Sequence, residues 1–246
     1  MSNSYENAIE LKNVTKKYDG FTLDSVSFSV PKGSIMGFIG QNGAGKTTTI
    51  KMLSCLAKPT AGDALLMGKS ISTEADQVKA LLGVSPQETA VAPGLTVKEN
   101  LELICGVYGF PKEKRNVKVK EMTELLHLES VLSRKAGKLS GGWQRRLSIA
   151  MALISEPKIL FLDEPTLGLD VIARSDLWDL IRSLKGKVTM ILTTHYMEEA
   201  EALSDRIAIM KDGKLLLCGT AKEIKTAAGT EDFEQAFIRI VKEGVK

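Results

Sequence analysis

The segment Gly40-Gln41-Asn42-Gly43-Ala44-Gly45-Lys46-Thr47 sets a glycine, four free positions and then Gly-Lys-Thr directly after the apolar run Ile35 to Ile39. That order is the pattern of a phosphate-binding loop between a buried strand and a helix. The glycines let the backbone wrap an anion with its N–H groups pointing inward, and the helix opening near Lys46 adds the positive end of its dipole. In such a loop Lys46 reaches the β- and γ-phosphates and the Thr47 hydroxyl ligates Mg²⁺, while Gly40, Asn42, Gly43, Ala44, Gly45 and Thr48 complete the nucleotide contacts. The expected ligand is a nucleoside triphosphate with its Mg²⁺.

Two further groups have chemistry to offer. The apolar run Ile159-Leu160-Phe161-Leu162 delivers Asp163 and Glu164 at a strand end, which is where open α/β sheets hold ligands. Asp163 suits support of the Mg²⁺, and Glu164 suits polarising an attacking water. The segment Leu139-Ser140-Gly141-Gly142-Trp143 precedes a helical run from Gln144 to Ala150. Ser140 is expected at the N-cap, with Gly141 and Gly142 leaving the helix N-terminus open to an anion. No basic residue lies within Ser140 to Gly142, so these donors complete a phosphate shell only with a loop supplied from elsewhere.

Positioning these groups requires strands that end along one edge of a sheet. Strand character begins at Ile9, and Ser25-Val26-Ser27-Phe28-Ser29-Val30 alternates strictly, which predicts an antiparallel β region first. After the turn Pro31-Lys32-Gly33, the stretch Ser34 to Gly40 suits a central parallel strand covered on both faces. A helix to about Leu56 follows, broken by Lys58-Pro59-Thr60-Ala61-Gly62. A short strand near Ala64 to Met67 and a helix near Glu74 to Leu82 then lead to Gly83-Val84-Ser85-Pro86-Gln87. From Glu88 to Glu156 the pattern is all helical. Thr96 and Glu99 form a capping box opening a helix through Tyr108, and Lys112 to Leu128 is a Lys-rich helix whose basic run reads as a solvated face. Past Pro157, strands at Lys158 to Leu162 and Val188 to Thr194 flank a helix at Val171 to Leu184. A hairpin turning at Asp212-Gly213 and helices at Lys222 to Ala228 and Glu231 to Val241 close the chain. The expected fold class is α/β: a P-loop NTPase core with a parallel sheet, an N-terminal antiparallel β subdomain and an inserted all-helical subdomain. Within one 1–246 ATPase domain, residues 1–87 and 157–220 form the core, 88–156 the insert and 221–246 a helical tail.

Composition narrows the setting. Thirty-three basic against 30 acidic residues give a net charge of +3, too balanced to imply a nucleic-acid surface. Cys55, Cys105 and Cys218 form no C-x-x-C pair, which argues against a disulfide framework or zinc site and for buried thiols in a reducing cytosol. The opening MSNSYENAIE has no signal pattern, and no apolar run approaches the roughly 18 residues that cross a bilayer, so work at a membrane would need another chain.

The loop at Gly40 to Thr47, the Ser140 segment and the Asp163–Glu164 pair together resemble, in order and over essentially the whole chain, the motifs of ABC-type ATPases. Leu139-Ser140-Gly141-Gly142-Trp143 stands for the signature usually written LSGGQ. Trp143 departs from the usual Gln, which bears on the side-chain contact at that position but not on the Ser140 hydroxyl or the glycine backbone. The resemblance implies further roles. Tyr18 in Lys16-Lys17-Tyr18-Asp19-Gly20 is similar to the aromatic that stacks on adenine; on its own it also reads as a strand-edge tyrosine. Gln87 resembles the glutamine that senses Mg²⁺ and the attacking water, and couples the site to a membrane partner. Gly168-Leu169-Asp170 resembles the loop that contacts an opposing subunit, and His195 the histidine that hydrogen-bonds the γ-phosphate. The implied ligands are ATP and Mg²⁺, with Glu164, His195 and Gln87 at the chemical step and Thr47, Gln87 and Asp163 toward the metal. The implied partners are a second ATPase subunit, forming a homodimer, and a separate integral-membrane permease, without nucleic acid. The chain would sit in the cytoplasm on the inner face of the cell membrane through that permease. Thr194-His195-Tyr196-Met197-Glu198-Glu199-Ala200-Glu201 and Glu234-Gln235-Ala236-Phe237-Ile238 resemble the ABC-2 type exporters of drugs, antibiotics or lipids. An ABC importer ATPase is the alternative, and a non-transport ABC ATPase acting on ribosomes or DNA a more distant one.

Overall fold

The computed structural model describes residues 6–244. The chain begins with β1 (Asn7–Tyr18) and β2 (Phe21–Pro31), and β3 (Ile35–Ile39) carries the phosphate loop into α1 (Lys46–Leu53). There follow β4 (Ala61–Leu66), β5 (Lys69–Ser70), α2 (Ala75–Lys79) and β6 (Leu82–Ser85). The helical stretch holds α3 (Val97–Val107), α4 (Lys112–Leu125) and α5 (Gly141–Leu153). After it come β7 (Ile159–Asp163), α6 (Val171–Leu184), β8 (Thr189–Thr194), α7 (Met197–Leu203), β9 (Arg206–Lys211), β10 (Lys214–Gly219), α8 (Ala221–Ala228) and α9 (Phe233–Glu243).

Two sheets result, one in the order β2-β1-β4-β5 and one in the order β10-β9-β3-β8-β7-β6. The first is antiparallel; in the second, β9, β3, β8, β7 and β6 run parallel and β10 antiparallel to β9. Every residue of β3 and β8 is buried, which explains the absence of polar side chains from β3 and the apolar Met190-Ile191-Leu192 at the centre of β8. The pleat sends successive residues of β7 to opposite cores. Ile159 and Phe161 join Val14, Leu23 and Leu66 between the two sheets, whereas Leu160 and Leu162 face Leu101, Leu147 and Leu177 of the helices. Burying a side chain such as Phe161, which is 0% exposed, contributes roughly 1.5–3 kcal/mol. A third core seats α8 and α9 through Ile224, Phe233 and Ile240 on Ile207 and Ile209.

The antiparallel β start, the capping box at Thr96 and Glu99, and helix α6 stand where the sequence predicts them. The Asp212-Gly213 turn does too, with φ values of 47° and 77°. A Cβ at Gly213 would lie 1.8 Å from the Thr22 carbonyl oxygen, so glycine is required by proximity as well as by φ. Four expectations need correction. The helix after the phosphate loop stops at Leu53, because the Ser54 hydroxyl bonds back to the Ile50 carbonyl and Cys55 takes a φ of 56°. The helix expected to reach Leu82 ends at Lys79, and Leu82–Ser85 is instead the edge strand β6 on β7. The Lys-rich helix ends at Leu125. Its basic face is solvated at Lys112, Lys114 and Lys120 but not at Lys118, which is buried between Glu121 and Glu156. Of the three free cysteines, Cys105 is buried and Cys55 and Cys218 are half-buried.

Candidate nucleotide site

The phosphate loop is shaped by what surrounds it. Gly45 caps α1 with a φ of 106°, and a Cβ there would meet Leu23 Cδ1 at 2.7 Å, so only glycine lets the loop turn this close to β2. The β9–β10 turn holds it from outside, Gly213 N–H donating to the Ala44 carbonyl at 3.1 Å. The Lys46 ammonium crosses the loop and donates to the carbonyls of Gly40 at 2.6 Å and Gln41 at 3.4 Å. Burial pulls the Lys46 pKa down while the carboxylates of Glu164 and Asp163 push it back up. The amine therefore sits where an anion would relieve its desolvation.

An open cleft of about 1080 Å³ is lined by residues 40–48 together with Phe21, Gln87, Asp163, Glu164, Leu167 and His195. Asp163 and Glu164 reach it from the end of β7, and His195 from just past β8. Asp163 accepts a hydrogen bond from the Thr193 hydroxyl on the neighbouring strand. Glu164 takes a φ of 48°, its N–H bonded to the Thr193 carbonyl at 3.1 Å, and its Oε2 shares a hydrogen bond of 2.7 Å with His195 Nδ1. A carboxylate held by an imidazole beside a phosphate loop is suited to orienting a water. Thr47, Gln87 and Asp163 offer hydroxyl, amide and carboxylate oxygens in the same cleft, hard donors that fit Mg²⁺. Among the described residues no group of three or more His, Cys, Asp or Glu could hold a metal unaided, so substrate phosphates would complete its shell.

The other expected site residues lie elsewhere. Tyr18 is exposed and does not line the cleft; its β-hairpin partner Phe21 does, with a Lys16 ammonium 5.1 Å above the Tyr18 ring. Phe21 was not singled out by the sequence, although an aromatic opening the strand opposite Tyr18 was the available signal. Ser140, Gly141 and Gly142 are also outside the cleft. Ser140 occupies the N-cap of α5 but its hydroxyl makes no capping bond, so both hydroxyl and helix N-terminus stay open. This segment rests on the Gly168–Asp170 loop and the first turn of α6: Cβ atoms at Gly141 and Gly142 would meet Leu169 at 3.4 Å and Ala173 at 3.2 Å. Asp170 caps α6 through the Ala173 N–H at 2.9 Å. Trp143 packs half-buried against the helical core, and the Arg146 guanidinium lies 5.1 Å from its ring centre. Arg145, which sequence reasoning missed, is buried and donates to the carbonyls of Pro86 and Gln87, both at 2.6 Å.

Fold and cleft together define a P-loop nucleotide-binding domain. Residues 23–167 match the family described as ABC transporter, and the chain belongs to that family. It is 40% identical over 243 residues to the probable multidrug ABC transporter ATP-binding protein YbhF of Escherichia coli, covering 96% of this chain and 42% of that protein. It thus spans less than half the length of that relative. It is 42% identical over 214 residues to the Nod factor export ATP-binding protein I of Burkholderia orbicola, covering 86% of this chain and 70% of that protein. Among solved structures, the ATP binding subunit of an ABC transporter superposes with a TM-score of 0.83 at 26% identity, covering 95% of this chain and 99% of that one.

Proposed function

We propose that this chain is the ATP-hydrolysing subunit of an ABC-2 type exporter, reading residues 1–246 as one ATPase domain that drives a separate membrane permease. One observation carries the reading. The phosphate loop, the Mg²⁺ donors and the Glu164–His195 pair share one cleft, whereas the signature segment lies outside it with its donors exposed. A second copy facing the first would bring Ser140 to Gly142 onto the γ-phosphate and close two ATP molecules between the subunits. Val171 and Ile172, 71% and 76% exposed just past Asp170, give that face apolar surface to bury. Bound Mg²⁺ would neutralise charge on the β- and γ-phosphates. Lys46 and the loop N–H groups hold the phosphates, Glu164 accepts the proton of the attacking water, and His195 fixes Glu164 and reaches toward the γ-phosphate.

Among the described residues no helix is long and apolar enough to cross a membrane; on this reading the pathway belongs to the permease. A second cleft of about 440 Å³, lined by Leu56, Val84, Val107, Tyr108 and Met151, is an apolar seat for it. Leu56 and Val107 are each 74% exposed. The relatives named for multidrug and Nod factor export support export as the direction, with the chain held at the inner face of the membrane by its permease. Co-expression with the multi-spanning protein of the neighbouring reading frame tests this. Co-purification from detergent and ATPase activity that rises with transported compound are expected; a chain that neither associates nor responds would overturn the transport reading.

A further inference from the structure

Glu199, in the first turn of α7, is a carboxyl group with 0% exposure that the steps above do not use. Its Oε1 accepts from the Thr166 hydroxyl at 2.8 Å and from the Trp178 indole N–H at 3.1 Å, while its Oε2 has no hydrogen-bond partner among the described residues. Burial pushes the Glu199 pKa up, against the Thr194 and Thr166 hydroxyls and the Trp178 indole that favour its charged form, and the nearby Glu164 carboxylate adds to the rise.

What it joins is specific. Thr166 belongs to the turn after Glu164: Leu167 N–H bonds the Glu164 carbonyl at 3.2 Å, and Leu169 N–H bonds the Thr166 carbonyl at 3.1 Å. Trp178 lies on α6, the helix capped by Asp170. Glu199 itself follows His195 by four residues. Arg174 reinforces the same seam, 5.6 Å from the Trp178 ring, 5.7 Å from the Tyr196 ring and 3.8 Å from Glu198. We propose that Glu199 is a positioning residue of the hydrolytic site: through Thr166 and Trp178 it sets the turn that presents Glu164 and the Gly168–Asp170 loop against the helix that follows His195. This rests on the reading of Glu164 as the base.

Glu199→Gln keeps an accepting oxygen of the same length and shape, whereas Glu199→Ala removes the acceptor and Thr166→Val removes one donor. Single-turnover hydrolysis of Mg-ATP should fall at least about tenfold in Glu199→Ala and several-fold in Thr166→Val, with ATP affinity within about twofold, and stay within about threefold of wild type in Glu199→Gln. The Trp178 indole N–H resonance, assigned by its persistence in Trp143→Phe, should move in Glu199→Ala and hold in Glu199→Gln. Equal losses in Gln and Ala, an unchanged rate in Ala, or a loss confined to ATP affinity would overturn the proposal. If the wild-type chain hydrolyses no ATP, the hydrolytic reading fails, and a Trp178 resonance indifferent to Glu199→Ala then overturns the positioning contact separately.

Discussion

The guanidinium of Arg145 holds the backbone carbonyl of Gln87 at 2.6 Å, and its second nitrogen holds that of Pro86 at the same distance. One turn further along α5, the hydroxyls of Ser148 and Ser85 lie 2.9 Å apart. The backbone leading to Gln87 is thereby fastened to the helix whose first residues are Gly141 and Gly142, so neither can shift alone. Arg145→Lys retains the charge but not the fork, leaving one of the two carbonyls without its charged donor. Urea unfolding should show a loss of about 1.5–3 kcal/mol; a change below about 0.5 kcal/mol would remove Arg145 from this role.

On the proposed reading, Lys46 serves binding and Glu164 serves the chemical step. Lys46→Ala should weaken ATP binding, whereas Glu164→Gln should bind ATP normally and hydrolyse it at least ~100-fold more slowly in single-turnover measurements. A Glu164→Gln chain with near-normal turnover would take the carboxylate out of the mechanism and leave His195 holding a group of no catalytic consequence.

Assembly follows from the separation of Ser140 from the cleft. The Glu164→Gln chain should change from monomer to dimer in saturating ATP and stay monomeric in Mg-ADP, read as scattering mass. A monomer at saturating ATP would mean that the permease, not the nucleotide, brings the two copies together.

At the signature, backbone and side chain should separate. A Cβ at Gly141 would make only ordinary contact with Leu169, so Gly141→Asp acts through its charge near the incoming phosphate and should cost at least ~3 kcal/mol, over a hundredfold in ATPase rate. Trp143→Gln gives up packing against the helical core and should cost under ~1.5 kcal/mol, about tenfold. Steady-state ATPase of both with the permease decides; equal and severe losses would make Trp143 a required nucleotide contact.

The residues legible in sequence were those whose chemistry depends on local order. The phosphate loop, Asp163 and Glu164 at a strand end, and the Asp212-Gly213 turn each declare themselves within eight residues, and they stand where expected. What was not legible depends on distant partners. Strand β6 is four residues long and takes its identity from pairing with β7, so its pattern merged with that of α2. Helix α7 reads in sequence as part of a motif, and only the fold seats Glu199 against Thr166 and Trp178. Phe21 enters the cleft because the β1–β2 hairpin turns it there, and Arg145 matters only once α5 meets the segment after β6.

The pairing of β3 has a consequence for how the chain is made. Met36 sits beside Ile191 on one side and Arg206 on the other, so the strand that leads into the phosphate loop acquires both neighbours only from the last part of the chain. At about 5–20 residues per second, translation from Ile39 to Lys211 takes roughly ten to thirty seconds. Until β8 is made, β3 lacks both lateral partners; until β9 is made it lacks one, and throughout, the loop it carries lacks the turn at Gly213 that steadies it. Nucleotide can therefore stabilise the finished domain but cannot template its folding on the ribosome, and protecting nascent β3 falls to the antiparallel sheet synthesised around it or to a chaperone.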